Sequence, residues 1–242
     1  MCIRDRTITI NGQLSLCMLA EKLLALGDVQ MIQANTDGIT VKCKRNKLDQ
    51  LTEVTKWWEN ITLLELERND YSKMIIRDVN NYLAIYDGTT KVKRKGAYEY
   101  DDLGWHQNHS ALIIPKAAEA VLVHGATLEE YIKGHKDKWD FMLRTKVPRS
   151  SRLVLVMEDG AEFPQQNICR YYPCKDGGNL VKIMPPLEGK DEERRIGIDK
   201  QWKVRTCNDI SKFEWDIDYD YYIAEASKLI DAVTSSDGEV DE

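Results

Sequence analysis

The stretch V-Q-M-I-Q-A-N-T-D-G-I-T-V-K-C-K, residues 29–44, decides the fold of this chain. Apolar and β-branched residues lead into Asn-Thr-Asp-Gly, and a second β-rich run leaves it. Asn and Asp tolerate positive φ angles and Gly reaches them freely, so the pattern predicts two strands joined by a tight turn. Such a turn presents Asp37 at the tip of a ribbon, where a carboxylate can meet a metal or a substrate. The alternative is an ordinary surface turn with a solvated aspartate.

Composition limits the classes of partner. The 242-residue chain is 43% hydrophobic and 31% charged, which is ordinary for a soluble globular protein. No apolar run approaches the roughly 20 residues that span a bilayer, so no membrane partner is expected. The net charge of −6 disfavours a general attraction to nucleic acid, and such binding would depend on local basic patches.

The cysteines and histidines do not form a recognisable metal motif. Six cysteines without paired close spacing fit reduced thiols in a cytoplasmic compartment. Cys169 and Cys174 lack a second Cys or His pair that would complete a zinc site. His106 and His109 are three residues apart and lack a third ligand.

The predicted elements of residues 7–103 are a helix, the hairpin, a second helix and short strands. The first helix ends at Gly27, and Asn46 is the expected N-cap of the second. Strands are expected at 61–67, 73–77, 81–86 and 91–95. This order predicts an α+β fold in which helices cover one face of an antiparallel sheet.

Residues 104–233 alternate between helical and β-strand patterns and are expected to form a second domain. Helices are expected at 115–123, with Pro115 as the first helical residue, at 127–133, with Thr127 opening a capping box, and at 137–143. Strands are expected at 152–157, 167–172 and 180–183, and residues 188–195 are interpreted as a charged loop. Asp218 is the expected cap of a last helix, against which five aromatic residues pack: Phe213, Trp215, Tyr219, Tyr221 and Tyr222.

The two ends of the chain are interpreted separately. Residues 1–6, M-C-I-R-D-R, resemble the translated end of a transposon-type sequencing adapter and are expected to be non-native. Residues 234–242 are expected to form an acidic, flexible tail.

Two stretches carry enough local positive charge to meet a phosphate backbone. Residues 73–95 contain several Lys and Arg residues interleaved with Tyr82 and Tyr86, and residues 146–152 read K-V-P-R-S-S-R. The alternative for both is a charged surface that contacts only solvent.

Residues 32–39, I-Q-A-N-T-D-G-I, resemble the third polymerase motif of the B-type DNA-directed DNA polymerases, in particular their phage-encoded members. The resemblance implies that Asp37 is a catalytic, metal-binding aspartate. Asn35 stands where the family has its other aspartate, Gly38 stands where it has a serine, and Thr36 lies between the two.

The resemblance also implies contacts to DNA. Tyr82 falls where the family has a Lys-x-Tyr element that holds the primer–template duplex, although Asn80 replaces the lysine. The neighbouring strand would supply the charge, and residues 143–149 look like part of the thumb. The implied DNA-binding residues are Tyr82, Lys93, Arg94, Lys95, Lys146 and Arg149.

The function implied is two-metal, Mg²⁺-dependent nucleotidyl transfer with primer–template DNA and deoxynucleoside triphosphates. The family's first motif, its fingers motif and an exonuclease domain are absent from this sequence. We therefore expect residues 7–103 to be the C-terminal half of a palm and residues 104–233 to be a thumb, inactive alone. Two alternatives stay open: a non-catalytic nucleic-acid-binding or interaction module, and another metal-dependent phosphotransferase or nuclease.

Overall fold

The computed structural model describes residues 3–101, 103, 109–189, 191–199 and 202–235. Its helices and antiparallel sheets confirm the α+β class. The chain divides into two compact units: residues 1–74, 78–80 and 84–92, and residues 75–77, 81–83 and 93–242. None of the described helices is long and apolar enough to cross a bilayer.

In the first unit, two helices pack against the predicted hairpin. Its elements are α1 (Ile3–Leu24), β1 (Val29–Ala34), β2 (Ile39–Cys43) and α2 (Leu48–Thr62). Leu19, Leu23 and Trp58 are buried between the helices, and Ile39 and Val41 of β2 pack against them. Because Ile39 and Val41 are two residues apart, they share one face of the hairpin, and the helices cover that face.

Two expectations for α2 were wrong. A short 3₁₀ turn, Arg45–Lys47, precedes the helix, so Asn46 is not its N-cap. The strand expected at 61–67 does not form, because α2 continues to Thr62 and ends where Leu63 adopts a left-handed φ of 57°. The Glu59 carboxylate then accepts a hydrogen bond from Leu66 N at 2.8 Å, which satisfies a backbone group that a strand would pair.

A three-stranded antiparallel sheet follows, in the order β3-β4-β5. Its strands are β3 (Tyr71–Asp78), β4 (Asn81–Tyr86) and β5 (Val92–Lys95), as predicted. The hairpin strands β1 and β2 pair only with each other in the described chain. The single sheet expected for this half is therefore two separate sheets.

Three helices belong to the second unit: α3 (Ile113–His124), α4 (Leu128–Gly134) and α5 (Tyr219–Thr234). Gly125, at a φ of 69°, ends α3 as predicted. Asp218 caps α5, also as predicted, by accepting a hydrogen bond from Asp220 N at 3.2 Å. Pro115 is the third residue of α3 rather than the first, and Thr127 makes no side-chain capping bond to α4.

The second unit also contains a sheet built around one long strand. Its strands are β6 (Leu143–Lys146), β7 (Arg152–Val156), β8 (Glu162–Gln165), β9 (Ile168–Met184), β10 (Arg194–Gly197) and β11 (Val204–Thr206). The first part of β9 pairs with β6 and β11, and its last part pairs with β7 and β10. The two strands expected at 167–172 and 180–183 are thus one strand.

The structure corrects two further predictions. The helix expected at 137–143 is a 3₁₀ turn, Lys138–Phe141, followed by β6. Met142 is extended because its carbonyl accepts a hydrogen bond from Ala111 N at 2.8 Å, and Leu143 pairs with Tyr171. The loop expected at 188–195 ends in β10, which pairs with the end of β9.

The core of the second unit lies where α3, α4 and α5 meet the sheet. Phe141 is fully buried and makes edge contacts with Trp215, Tyr219 and Tyr222, at ring-centroid distances of 6.2, 6.0 and 5.2 Å. The aromatic residues expected to pack around the last helix do so, although Trp215 stays half exposed.

Candidate nucleic-acid interface

The tip of the β1–β2 hairpin forms the predicted turn. Asn35 N donates a hydrogen bond to Gly38 O at 3.0 Å, and Asp37 N donates to Asn35 Oδ1 at 3.2 Å. The Asn35 side chain thus shapes the turn by accepting from the backbone two residues on, a common role of asparagine in turns. Asn35, Thr36 and Asp37 are exposed, so the Asp37 carboxylate is accessible to a ligand.

An irregularity in β1 lies directly before this tip. The pairing of β1 with β2 shifts register between Met31 and Gln33. Gln33 Nε2 lies 3.5 Å from Thr40 Oγ1, whereas Gln33 Oε1 is buried without a hydrogen-bond partner. β-bulges turn side chains to new directions and are frequent next to active sites. No local residue pattern predicts this bulge.

The described residues do not complete a magnesium site. They contain no group of three or more His, Cys, Asp or Glu side chains that could hold a metal ion. Asp28, the other acidic residue beside the hairpin, forms an ion pair of 3.1 Å with Lys44 at the opposite end of the ribbon. Mg²⁺ requires octahedral oxygen coordination, and Asp37 by itself offers one carboxylate. Asp37 is therefore at most one ligand of such a site.

The other residues considered as metal ligands are two cysteines and a histidine pair. Cys169 and Cys174 are buried free thiols, and burial raises the pKa of each to about 11. His106 lies outside the described residues.

Four of the predicted DNA-binding residues lie on β4 and β5: Tyr82, Lys93, Arg94 and Lys95. Tyr82 is half-buried on β4. Lys93 and Lys95 of β5 are two residues apart and so project from the same face of the strand. Lys95 Nζ lies 3.9 Å from the Glu99 carboxylate, a partly exposed contact that leaves the ammonium available to an anion.

Arg94, also on β5, contacts acidic and aromatic residues of the second unit. Its guanidinium donates two hydrogen bonds, of 2.5 and 2.7 Å, to the carboxylate of Glu119, which is 4% exposed. It also lies 3.2 Å from the Asp101 carboxylate and 4.4 Å from the centre of the Tyr100 ring. Burial is the main cause that raises the pKa of the Tyr100 hydroxyl, and the nearby Glu119 carboxylate raises it further. Glu119 and Asp101 therefore already neutralise Arg94, whose side chain is 22% exposed, and its contact to DNA stays a prediction.

A second buried charge cluster is not predicted by the sequence. Asp140 is 3% exposed, and its Oδ2 lies 2.7 Å from Lys116 Nζ and 2.6 Å from His135 Nε2. Burial alone would raise the pKa of Asp140, but the hydrogen bonds from His135 and Lys116 outweigh it and lower the pKa. Lys116 and Asp140 are far apart in sequence, so no local pattern indicates their pairing.

Lys146 and Arg149 are exposed at the end of β6 and in the loop that follows it. This loop is held by backbone and side-chain contacts: Val147 N donates to Asn167 O at 2.8 Å, and Asn167 Nδ2 donates to Pro148 O at 3.1 Å. The two cations therefore lie on an ordered edge of the second unit.

Three residues beside Lys146 were not predicted to bind DNA. Arg144 of β6 lies directly opposite Arg170 of β9 in the sheet. The Arg170 guanidinium lies 5.6 Å from the centre of the Trp139 ring, and Trp139 is half exposed. Sequence reasoning missed the pair because it depends on the register of two strands that are distant in the chain.

No protein-family model and no curated protein matches this chain.

Proposed function

We propose that this chain is the C-terminal palm and thumb part of a B-type DNA-directed DNA polymerase, a nucleotidyltransferase of DNA replication. The observation that carries the proposal is the hairpin tip, where the Asn-Thr-Asp-Gly turn joins β1 and β2 and leaves Asp37 exposed. A two-stranded ribbon with an accessible carboxylate at its tip is what the resemblance to the third polymerase motif requires.

The proposed ligands are primer–template DNA and, in the intact enzyme, deoxynucleoside triphosphates. Tyr82, Lys93, Lys95, Lys146 and Arg149 would contact the duplex; cations that meet the phosphate backbone bind without sequence preference. Asp37 would supply one magnesium ligand, and the second carboxylate would come from outside the described residues. The chain alone is then inactive. The five described cysteines are free, which supports a reducing, cytoplasmic compartment.

The test replaces Asp37 by Asn in the reading frame extended upstream of Thr7. Primer extension with Mg²⁺ should fall by several orders of magnitude, because an amide cannot replace a metal-binding carboxylate. Binding of duplex DNA should stay within about twofold, since the phosphate contacts lie elsewhere. Asp28→Asn is the matched control: it removes the same charge from the same hairpin and breaks only an exposed ion pair with Lys44, so extension should not change.

Two results would contradict the proposal. If the Asp37→Asn variant extended primers as fast as the wild type, the hairpin would be an ordinary turn. The non-catalytic nucleic-acid-binding module would then be favoured. Extension of primers by the present chain alone would show that the site does not depend on a second carboxylate from elsewhere. The upstream sequence separates the remaining alternative, because a D-x-x-S-L-Y-P-like strand and a K-x-x-x-N-S-x-Y-G-like helix belong to a polymerase and not to another phosphotransferase or nuclease.

A further inference from the structure

Arg144 and Arg170 form a pair of like charges on the sheet of the second unit. They are direct partners in the β6–β9 ladder, and the neighbouring pair, Leu143 and Tyr171, is buried in the core. Because successive residues of a strand point to opposite faces, both arginines lie on the outer face. Like charges directly opposite each other destabilise a strand pair, so this arrangement is unfavourable for the fold alone.

No described carboxylate compensates for the two charges. Burial lowers the pKa of Arg170, and the charge of Arg144 lowers it further. Neither arginine forms an ion pair with a carboxylate in the described part of the chain. Other arginines of the same sheet do: Arg152 with Glu193, Arg195 with Glu162 and Arg205 with Asp216. The Arg144–Arg170 pair therefore lacks the counter-charge that these three arginines have.

Two further side chains extend this surface. Lys146 follows Arg144 by two residues in β6 and so lies on the same face, exposed to solvent. Trp139 is 50% exposed and has the Arg170 guanidinium 5.6 Å from its ring centre. We call Trp139, Arg144, Lys146 and Arg170 the arginine platform.

The platform offers two kinds of recognition at once. Its cations match phosphate groups, and the guanidinium fork binds phosphate oxygens in a bidentate manner. Its exposed indole offers a π-face, on which the bases of single-stranded nucleic acid can stack without sequence preference. In a duplex the bases are stacked on each other, so the indole would add little to the binding of a duplex.

We propose that the arginine platform binds single-stranded nucleic acid, with phosphates on Arg144, Lys146 and Arg170 and a base stacked on Trp139. The net charge of the protein is −6, so attraction of a polyanion depends on such a local patch. The proposal does not involve Asp37 and does not depend on polymerase activity.

The test measures binding of a fluorescein-labelled oligothymidylate of about 12 nucleotides to the full chain, by fluorescence anisotropy over a range of salt concentrations. The principal variant is Arg144→Gln/Lys146→Gln, whose two side chains are exposed. Binding should weaken at least tenfold, and the slope of log K against log salt should become about 1.4 shallower, as expected for two lost phosphate contacts. The melting temperature should not fall, because the substitution relieves the repulsion of Arg170.

A matched control and a stacking variant complete the experiment. Arg152→Gln removes an exposed arginine of the same sheet that Glu193 already neutralises, so binding should be unchanged. Trp139→Ala should weaken binding of the single strand about 5- to 150-fold, the range expected for one lost base stack. Trp139→Phe, which keeps a ring, should recover most of that loss.

Three outcomes would overturn the proposal. The first is unchanged binding by Arg144→Gln/Lys146→Gln while circular dichroism shows that the variant is folded. The second is equal loss in the Arg152→Gln control, which would indicate general attraction by surface charge. The third is binding of a duplex or of inorganic polyphosphate as tight as that of the single strand, with no effect of Trp139→Ala; the platform would then recognise phosphate alone. Because Asp37 is intact in every variant, failure here is distinct from failure of the polymerase proposal.

Discussion

Asp140 is a buried carboxylate held by two nitrogen groups, Lys116 Nζ and His135 Nε2. Their hydrogen bonds place its pKa below the ordinary value of 3.8, despite the opposing effect of burial. A carboxyl group whose pKa is lower in the folded state binds fewer protons there than in the unfolded state at acidic pH. Its contribution to stability is therefore complete above the unfolded pKa and is lost as the pH falls through the folded pKa.

Replacement of Asp140 by Asn should lower the free energy of unfolding by about 3–5 kcal/mol at pH 7, because it removes the buried carboxylate that pairs with the partly buried Lys116 ammonium. The difference in unfolding free energy from the wild type should narrow as the pH falls below about 4, where Asp140 of the unfolded chain begins to bind a proton, and should vanish below the folded-state pKa. Urea unfolding at several pH values measures both effects. Glu129→Gln is the control, since Glu129 and Lys133 form an exposed pair, and its effect should be small. If the loss of unfolding free energy in Asp140→Asn were the same at every pH, the charge of Asp140 would not be what stabilises the fold.

At the same scale, the sequence indicated roles only where the partners were close in the chain. Asn35 and Asp37 form their turn through contacts within a few residues, so its geometry could be predicted. Arg94 was predicted to bind DNA because basic residues surround it in sequence, yet its partner Glu119 lies on α3. Arg144 and Arg170 likewise meet only through strand register. Long-range pairs of this kind have no local pattern.

Among the elements, β9 is the one that organises the second unit, and two glycines lie at its middle. A Cβ atom on Gly177 would lie 2.3 Å from Val204 O and 2.7 Å from Cys174 Sγ. A Cβ on Gly178 would lie 2.7 Å from Val156 O. Real Cβ atoms do not approach other atoms so closely, so glycine allows the neighbouring backbones to approach β9 on both sides.

Gly177→Ala should therefore destabilise the protein by about 1–3 kcal/mol, the usual cost of overpacking, because backbone atoms must move to admit the methyl group. Thermal unfolding followed by circular dichroism measures it. Gly134→Ala is the matched control: Gly134 ends α4 and has no atom within 4 Å of the added Cβ, so the substitution should have little effect. Equal losses in the two variants would show that close backbone approach is not what requires glycine in β9.

Element types were predictable where local signals agreed with the tertiary contacts. The hairpin, β3 to β5 and the Asp218 cap follow from turn residues, alternation and capping. The predictions failed at 61–67 and 137–143, where one long-range or side-chain contact decides the conformation. Glu59 satisfies Leu66 N in the first case, and Ala111 N bonds to Met142 O in the second. The division of β9 into two predicted strands has a similar cause, since the close approach of Val204 to Gly177 and of Val156 to Gly178 has no local pattern.

At the scale of the whole molecule, the two units differ in how well each is packed. The core of the second unit joins α3, α4 and α5 to the sheet and includes fully buried aromatic side chains. In the first unit the hairpin core has Leu19, Leu23 and Trp58 as its buried residues, and β1 and β2 pair with no other described strand. Isolated two-stranded sheets are marginally stable. Several apolar side chains of this unit are also exposed: Ile8, Ile10, Leu14, Ile61, Leu63 and Leu64.

We therefore expect the first unit to unfold more easily than the second. In native-state hydrogen exchange, amides of α1, β1 and β2 should exchange faster than those of β7 and β9. Trp58→Phe removes the hydrogen bond of 2.6 Å from the indole to Ser15 O and should lower protection in the first unit by about 1–3 kcal/mol.

The control for this prediction acts on the other unit. Tyr172→Phe removes the hydrogen bond of 2.8 Å from the Tyr172 hydroxyl to Asp216 and should lower protection around β9 and β11 while leaving the hairpin unchanged. The two variants should thus affect different sets of amides, because distant sites without shared partners contribute independently to stability. If Trp58→Phe instead lowers protection equally in β7, β9 and the hairpin, the chain unfolds as one cooperative unit, and the weaker core of the hairpin does not limit its stability.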